Sequence, residues 1–206
     1  MLFGDDILSD ITPADVAADL HIEPDVVNDI FAISQRKAWD KSSEARCDFK
    51  KKWAMVRHAG LNFFTVWKKS PHGQTLSEIK ADKSNPLRFA EEIALLVREV
   101  LGSNLRNGGF AVVTTPCRRH AVGNFGEALG QQLADILQVP FYPLCATCRS
   151  RQRVNAVFDA NNVPNEPNVI VVDDFVTTGS TVAAMKKLLT ANNKNVIIFA
   201  GIDNQL

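Results

Sequence analysis

The feature that most constrains the fold is the run Val169–Thr181, in which an apolar segment leads directly into two acids and a loop of small residues. Val169–Val172 is β-branched and apolar, as is typical of a parallel strand covered by helices on both faces. Asp173 and Asp174 come where this strand should end. We therefore expect them at the carboxyl edge of an α/β sheet, where such sheets bind ligands.

The residues after the two acids have the composition of an anion-binding loop, and Val182–Leu189 has helical character. The loop consists of Thr177, Thr178, Gly179, Ser180 and Thr181. A loop that enters a helix in this way presents N–H groups and hydroxyls where the helix dipole favours phosphate. Carboxylates beside it suit a ligand with a ribose diol at one end and a 5′-phosphate at the other. The alternative is a strand followed by an ordinary capped helix.

Val171–Thr181 resembles the phosphoribosyl pyrophosphate-binding motif of the type I phosphoribosyltransferases in its apolar strand, acid pair and Thr-Thr-Gly-x-Thr loop. The resemblance implies an open, mostly parallel sheet flanked by helices. It also implies that Asp173 and Asp174 bind the ribose hydroxyls and Mg²⁺, and that Thr177–Thr181 binds the 5′-phosphate. The implied reaction transfers phosphoribosyl to a nitrogen acceptor, such as a nucleobase, and releases pyrophosphate.

A second buried strand is predicted at Phe110–Thr115, and it is followed by a loop that contains two arginines. This loop should face the same ligand as the acid pair. The family resemblance makes it the pyrophosphate loop, with Thr115, Pro116, Cys117 and Arg118 as binding residues and Arg119 as a second candidate. Arg118 would stabilise the departing pyrophosphate, since a guanidinium binds phosphate oxygens bidentately. The alternative is a solvated basic turn.

The remaining core elements follow from hydrophobic periodicity and from helix start and stop signals. The sequence predicts helices at Pro86–Leu101 and Gly123–Leu137, and strands at Val139–Leu144 and Asn195–Ile202. Between them, Cys145–Asn165 is a long polar connection with several arginines, which could close over the reacting centre as a lid.

The order of these pieces is similar to the ComF-like branch of the family. Pro116–Arg119 is followed by Gly123–Leu129, then by Arg149–Phe158, and then by the acid pair. The resemblance covers about residues 86–200. The cysteine-rich zinc element that typically begins members of that branch has no counterpart here, and its Arg-Gly-Phe-Asn-Gln run is only approximated by Gly123–Glu127.

We divide the chain into residues 1–85, a helical region with an accessory strand, and residues 86–206, the phosphoribosyltransferase-like core. Two short helices are predicted within residues 11–31, in a helix-turn-helix outline that could contact DNA or serve only for packing. The basic, aromatic stretch Ser34–His58 favours an amphipathic helix, with nucleic-acid binding as the alternative. Leu61–Trp67 is predicted to be an edge or accessory strand. Any hood over the acceptor must come from residues 1–85.

Composition limits the partners and the compartment. Lys plus Arg equals Asp plus Glu at 23 each, so the chain has no basic excess of the kind that nucleic-acid binders show. No apolar run is long enough to span a membrane, and Asp5 and Asp6 stand where a secretory signal would carry bases. We therefore expect a cytoplasmic protein, and we expect it to form a homo-oligomer.

Cys145 and Cys148 form a lone Cys-x-x-Cys pair. We interpret it as a reduced thiol pair, with metal binding as the alternative.

The function also has alternatives. Instead of a transferase, the chain could be a non-catalytic regulator that binds phosphoribosyl pyrophosphate, or a ComF-like DNA-uptake accessory protein.

Overall fold

A computed structural model of the protein describes residues 45–58, 60–116, 124–148 and 158–204. Glu44–Leu206 forms one compact unit, and Met1–Ser43 forms another that lies outside the described residues. The helices and the helix-turn-helix outline expected in residues 11–31 therefore stay predictions.

Strands and helices alternate through most of the described chain. In chain order they are β1 (Arg46–Cys47), β2 (Ala54–His58), β3 (Leu61–Lys68), β4 (Gln74–Thr75), α1 (Leu76–Ala81), α2 (Asn85–Leu101), α3 (Asn104–Asn107), β5 (Phe110–Thr114), α4 (Phe125–Leu137), β6 (Ala146–Cys148), β7 (Phe158–Ala160), β8 (Asn168–Val176), α5 (Ser180–Ala191) and β9 (Asn195–Asp203).

The centre of the unit is a five-stranded sheet in the order β2-β3-β9-β8-β5. Strands β3, β9, β8 and β5 are mutually parallel, and only the edge strand β2 is antiparallel to its neighbour. Because parallel strands end at the same edge, the residues that follow β3, β5, β8 and β9 all lie at one edge of the sheet. The predicted open, mostly parallel sheet flanked by helices is confirmed.

Helices cover both faces of this sheet. One apolar cluster joins α2 and α4 to the sheet, with Phe89, Ile93 and Leu133 packing against Ile170 and Val172 of β8. A second cluster joins α5 to the opposite face through Met185 and Leu189, which pack with Val169 and Val171. The alternation of these β8 side chains between the two clusters explains why the whole run is apolar.

The predicted helices at Pro86–Leu101, Gly123–Leu137 and Val182–Leu189 are confirmed by α2, α4 and α5, with small shifts at the ends. Local signals account for two of the starts. Pro86 lies in the first turn of α2, and the Asn124 side chain accepts a hydrogen bond from the backbone N–H of Glu127 to cap α4. In the part of the chain that the model describes, no helix is long and apolar enough to cross a membrane.

The helical interpretation of Ser34–His58 is wrong for its described part, since β1 and β2 occupy Arg46–Cys47 and Ala54–His58. Pairing with β3 decides the conformation of β2, in which burial alternates along the strand as a sheet edge requires. The placement of Leu61–Trp67 at an edge is also wrong. This strand is internal, antiparallel to β2 on one side and parallel to β9 on the other.

Two strands of the main sheet therefore precede residue 86. The role assigned to residues 1–85, as a hood or interaction module, stays a prediction.

Val139–Leu144 does not form the regular strand that its composition suggests. The segment runs beside β5 with a single parallel bridge, between Val112 and Phe141. The Val112 N–H donates to the carbonyl of Pro140 at 2.8 Å, and the Tyr142 N–H donates to the carbonyl of Val112 at 3.0 Å. Pro140 and Pro143 have no N–H to donate, so a longer ladder cannot form here.

The polar connection Cys145–Asn165 is also more regular than expected. Its two ends pair as the antiparallel strands β6 and β7, in the register Ala146 opposite Ala160 and Cys148 opposite Phe158. The arginines of the expected lid, at positions 149, 151 and 153, lie outside the described residues. Closure of this segment over a ligand stays a prediction.

Candidate functional site

The two acids lie in the last part of β8, at the carboxyl edge of the sheet. Strand β8 continues to Val176, so Asp173 and Asp174 lie within the strand and not beyond its end as the sequence suggested. The pairing of β5 with β8 stops at Thr114 opposite Val172, whereas Asp173 still pairs with Ala200 of β9. One flank of the acid pair is therefore open toward the residues that follow β5.

Asp173 has hydrogen-bond donors around one of its carboxylate oxygens. Its Oδ1 accepts from the Thr115 hydroxyl at 3.1 Å and from the backbone N–H of Asp174 at 3.0 Å. Burial and the neighbouring Asp174 carboxylate raise the pKa of Asp173 to about 8, although the Thr115 hydrogen bond and Lys80 oppose the shift. A carboxylate that is costly to ionise, at the carboxyl edge of a parallel sheet, is a recognised mark of a functional site.

Asp174 is buried, with 8% of its surface exposed, and partners engage both of its oxygens. Oδ1 accepts from the backbone N–H of Phe175 at 2.9 Å, and Oδ2 lies 2.6 Å from the Nζ of Lys80. The same ammonium lies 5.7 Å from the centre of the Phe175 ring. The two acids are therefore inequivalent, because Asp174 contacts the Lys80 ammonium, whereas Asp173 contacts the Thr115 hydroxyl.

Lys80 is a site residue that the sequence analysis missed. It lies on α1, which follows β3 and is closed at its start by a capping box between Thr75 and Glu78. The Asn85 side chain donates to the carbonyl of Ile79 at 3.0 Å and so links α1 to the next helix. Nothing local in the sequence marks Lys80. If Leu61–Trp67 had been predicted as an internal parallel strand, the residues after it would have been expected at this edge of the sheet.

The loop after β8 has the form expected of an anion-binding helix start. Gly179 is the N-cap of α5 with φ 75° and ψ 0°, and no side chain caps the helix. The Thr178 and Ser180 hydroxyls lie 3.2 Å apart, and the Ser180 N–H donates to the Thr178 hydroxyl at 3.4 Å. Thr177 and Thr181 are half-buried on either side. With no capping side chain, the first N–H groups of α5 can donate to a ligand.

We expect Gly179→Ala to destabilise the protein by about 1 kcal/mol, because an L-residue is strained in the left-handed region. A Cβ built at Gly179 meets no atom closer than 3.5 Å, so backbone strain and not a steric clash determines the cost. Urea unfolding measures the change. Gly179→Asn is the matched control and should cost less, since asparagine tolerates positive φ. Equal stability of Gly179→Ala and the wild type would contradict the assigned conformation.

We expect Lys80→Met to destabilise the protein by about 1 to 2 kcal/mol, because it leaves the Asp174 carboxylate without its cation. The Lys80 side chain is 44% exposed and the Asp174 side chain 11%, so solvent compensates only part of the loss. Lys83→Met, at an exposed position just after α1, is the matched control and should be close to neutral. A similar effect of both substitutions in urea unfolding would show that the ion pair does not matter.

The predicted pyrophosphate loop is only partly described. Thr115 and Pro116 follow β5 at the open flank of the acid pair, and Thr115 contacts Asp173 directly. Cys117, Arg118 and Arg119 lie outside the described residues, so their assigned roles stay predictions.

The Cys-x-x-Cys pair gains no support as a metal site. Cys145 is buried, and burial raises the pKa of its thiol to about 11, whereas a metal ligand must lose its proton. Within the described ranges, no group of three or more His, Cys, Asp or Glu side chains could hold a metal ion. The side chain of Cys148 is not among those described.

No protein family model matches the sequence, and no curated protein matches it either. Among solved structures, the model is similar to orotate phosphoribosyltransferase from Aeropyrum pernix, with 19% identity, TM-score 0.43, and coverage of 81% of this chain and 80% of that one. An adenine phosphoribosyltransferase gives 18% identity, TM-score 0.48, and coverage of 81% and 88%. The adenine phosphoribosyltransferase from Saccharomyces cerevisiae, solved with adenine, gives 16% identity, TM-score 0.45, and coverage of 81% of this chain and 87% of that one. Because these identities and TM-scores are low, the fold and site described above rest on this chain alone.

Proposed function

We propose that the protein binds phosphoribosyl pyrophosphate with Mg²⁺ and transfers the phosphoribosyl group to a nitrogen acceptor, with release of pyrophosphate. One observation carries the proposal. The acid pair of β8 and the uncapped, glycine-started helix α5 lie on one continuous segment at the carboxyl edge of the sheet. Residues Val171–Thr181, which resemble the family's binding motif, have the strand, loop and helix conformations that the motif requires.

Asp173 and Asp174 are assigned to the ribose end of the ligand. A carboxylate accepts strong hydrogen bonds from hydroxyl groups, and two adjacent carboxylates can bind both hydroxyls of a cis diol. Asp173 contacts Thr115 through one oxygen, and Asp174 contacts Lys80, so a ligand that binds both acids must compete with or share these contacts.

The loop Thr177–Thr181 is assigned to the 5′-phosphate. Its threonines and serine are exposed or half-buried, and the N-terminus of α5 supplies the N–H groups that follow Ser180 and the positive end of the helix dipole. Thr177 directly follows the end of β8, the strand that carries Asp174, so one short segment contains both the acid pair and the loop.

The residues present fit a Mg²⁺ ion that arrives with its ligand. Mg²⁺ is commonly held by one or two carboxylates together with substrate phosphate oxygens and water, and not by an all-protein cage. Asp173 and Asp174 would supply the carboxylates. When bound, the ion would neutralise negative charge on the pyrophosphate and on the acid pair.

The chemistry needs no protein nucleophile. The acceptor nitrogen displaces pyrophosphate at the anomeric carbon, and positive charge develops on the ribose in the transition state. Nearby carboxylates favour that charge, and donors after β5, Thr115 and the predicted Arg118, would stabilise the departing pyrophosphate. A hood for the acceptor would come from Ser70–Asp82, which follows the carboxyl end of β3 and carries Lys80.

Calorimetry with phosphoribosyl pyrophosphate and Mg²⁺ tests the proposal on the wild-type chain. We expect micromolar binding, and binding without Mg²⁺ should be weaker. Release of pyrophosphate in the presence of nucleobases then separates a transferase from the alternative, a regulator that binds without turnover. Failure to bind phosphoribosyl pyrophosphate at millimolar concentration would overturn the proposal.

A further inference from the structure

A buried histidine–aspartate pair lies outside the acid pair and takes no part in the proposed reaction. His58 is the last residue of β2 and Asp203 is the last residue of β9. The Nε2 of His58 lies 3.1 Å from Oδ1 of Asp203, and their side chains are only 7% and 4% exposed. The imidazole also stacks on Phe63 of the intervening strand β3, with ring centres 5.3 Å apart.

The pair lies directly beside the loop assigned to the 5′-phosphate. Asp203 is opposite Val176, the residue before Thr177, and the Asn204 N–H donates to the Val176 carbonyl at 2.9 Å. A Cβ built at Gly179 would lie 3.8 Å from the His58 Cβ, which is van der Waals contact. His58 therefore packs against the N-cap of α5, and Asp203 lies next to the strand end that leads into the loop.

Charge makes this position significant. A buried carboxylate beside a phosphate site repels the phosphate unless a cation compensates it, because Coulomb interactions are weakly screened away from water. His58 is the only one of the described side chains that contacts the Asp203 carboxylate. A protonated His58 would make the pair neutral. Removal of the His58 side chain would leave the negative charge of Asp203 next to the loop.

We propose that His58 is a positioning residue for the 5′-phosphate. It neutralises Asp203 and supports the backbone at Gly179, so that the loop binds a phosphate group without repulsion from below. This inference rests on the proposed function, because it assigns the 5′-phosphate to Thr177–Thr181. It predicts that His58 affects ligands with a 5′-phosphate and leaves pyrophosphate, which is assigned to the residues after β5, unaffected.

The test compares His58→Gln with the double variant His58→Gln/Asp203→Asn. Glutamine retains a donor but no charge, so the single variant should bind ribose 5-phosphate roughly tenfold more weakly than the wild type, with unchanged pyrophosphate affinity. Replacing Asp203 as well removes the uncompensated carboxylate. Affinity should then return to within about twofold of the wild type, because the Gln–Asn pair is neutral. Both titrations use calorimetry in one buffer at one pH, with the wild type measured alongside the variants.

A purely structural role makes a different prediction, namely that the double variant binds no better than the single one. That result, or an equal loss for both ligands, or no loss at all in His58→Gln, would overturn the inference. If His58→Gln does not fold, imidazole NMR of the wild type decides. A shift of the His58 signals with ribose 5-phosphate and not with pyrophosphate supports the inference, and the absence of a shift overturns it. Failure of the wild type to bind phosphoribosyl pyrophosphate would instead overturn the proposed function, and this inference with it.

Discussion

The double substitution Asp173→Asn/Asp174→Asn should weaken the binding of phosphoribosyl pyrophosphate with Mg²⁺ by at least about 100-fold. A hydrogen bond to a charged group contributes about 1.5 to 3 kcal/mol, and two such bonds to the ribose hydroxyls are lost together. The neutral amide oxygens are also weaker Mg²⁺ ligands than the charged carboxylates that they replace. The fold should persist, because asparagine has the same shape and the strand pairing of β8 uses only backbone atoms.

Calorimetry at a fixed Mg²⁺ concentration measures the loss. Asp135→Asn is the matched control. Asp135 lies in the last turn of α4, exposed, and its described contact is with Gln131 on the same helix. The control should bind as the wild type does. Unchanged affinity in the double variant would remove the acid pair from the site.

The single substitution Asp173→Asn should stabilise the protein by about 2 kcal/mol at pH 8. The pKa of Asp173 is raised to about 8 in the folded state, whereas an unfolded aspartate has its ordinary pKa of 3.8. Below about pH 4 the group is protonated in both states and carries no penalty. As the pH rises toward 8, only the unfolded state releases its proton freely, so the wild type loses stability across this window. Asparagine has no proton to lose and avoids the penalty.

Urea unfolding at several pH values between about 4 and 8 measures this difference. The stability gain of Asp173→Asn should grow with pH and vanish at the acid end. The neighbouring Asp174 carboxylate contributes to the raised pKa of Asp173, so part of the expected gain depends on its charge. A gain that does not depend on pH, or a loss at pH 8, would show that the carboxyl group is not held in its protonated form.

The two predictions have a common physical origin. Two acids kept close together in a buried strand destabilise the free protein, and Lys80 offsets only part of the cost of ionising Asp173. A ligand that brings hydroxyl donors and a divalent cation would relieve this repulsion. Loss of binding in the double variant and gain of stability in Asp173→Asn are therefore the expected signature of a functional site.

Local patterns were reliable where a segment's neighbours lie within the same element or turn. The β-branched run Val169–Val172 is buried on both faces, and the glycine of the hydroxyl loop takes the positive φ of a helix N-cap. Helix α2 has a proline in its first turn and ends before a glycine, as its sequence suggested. These features depend on side-chain shape and backbone strain, which are local properties of each residue.

Patterns failed where distant segments decide the outcome. Ser34–His58 has charges and aromatics compatible with a helix, yet Ala54–His58 is held as a strand by pairing with β3. Leu61–Trp67 could not be recognised as an internal strand, because its partner β9 lies near the other end of the chain. Val139–Leu144 shows the opposite error. Its apolar composition predicted a regular strand, but its two prolines lack the N–H donors for a longer ladder, and the segment forms a single bridge.

The sequence by itself determined the parallel strand β8, its two acids and the loop that starts α5, because apolar periodicity, acid position and glycine conformation are all local properties. Only the tertiary structure decided that Lys80 pairs with Asp174 and that His58 and Asp203 lie behind the loop. Both contacts join residues far apart in the chain, which the fold brings together. Charge pairs across such distances depend on strand order, and no local pattern encodes strand order.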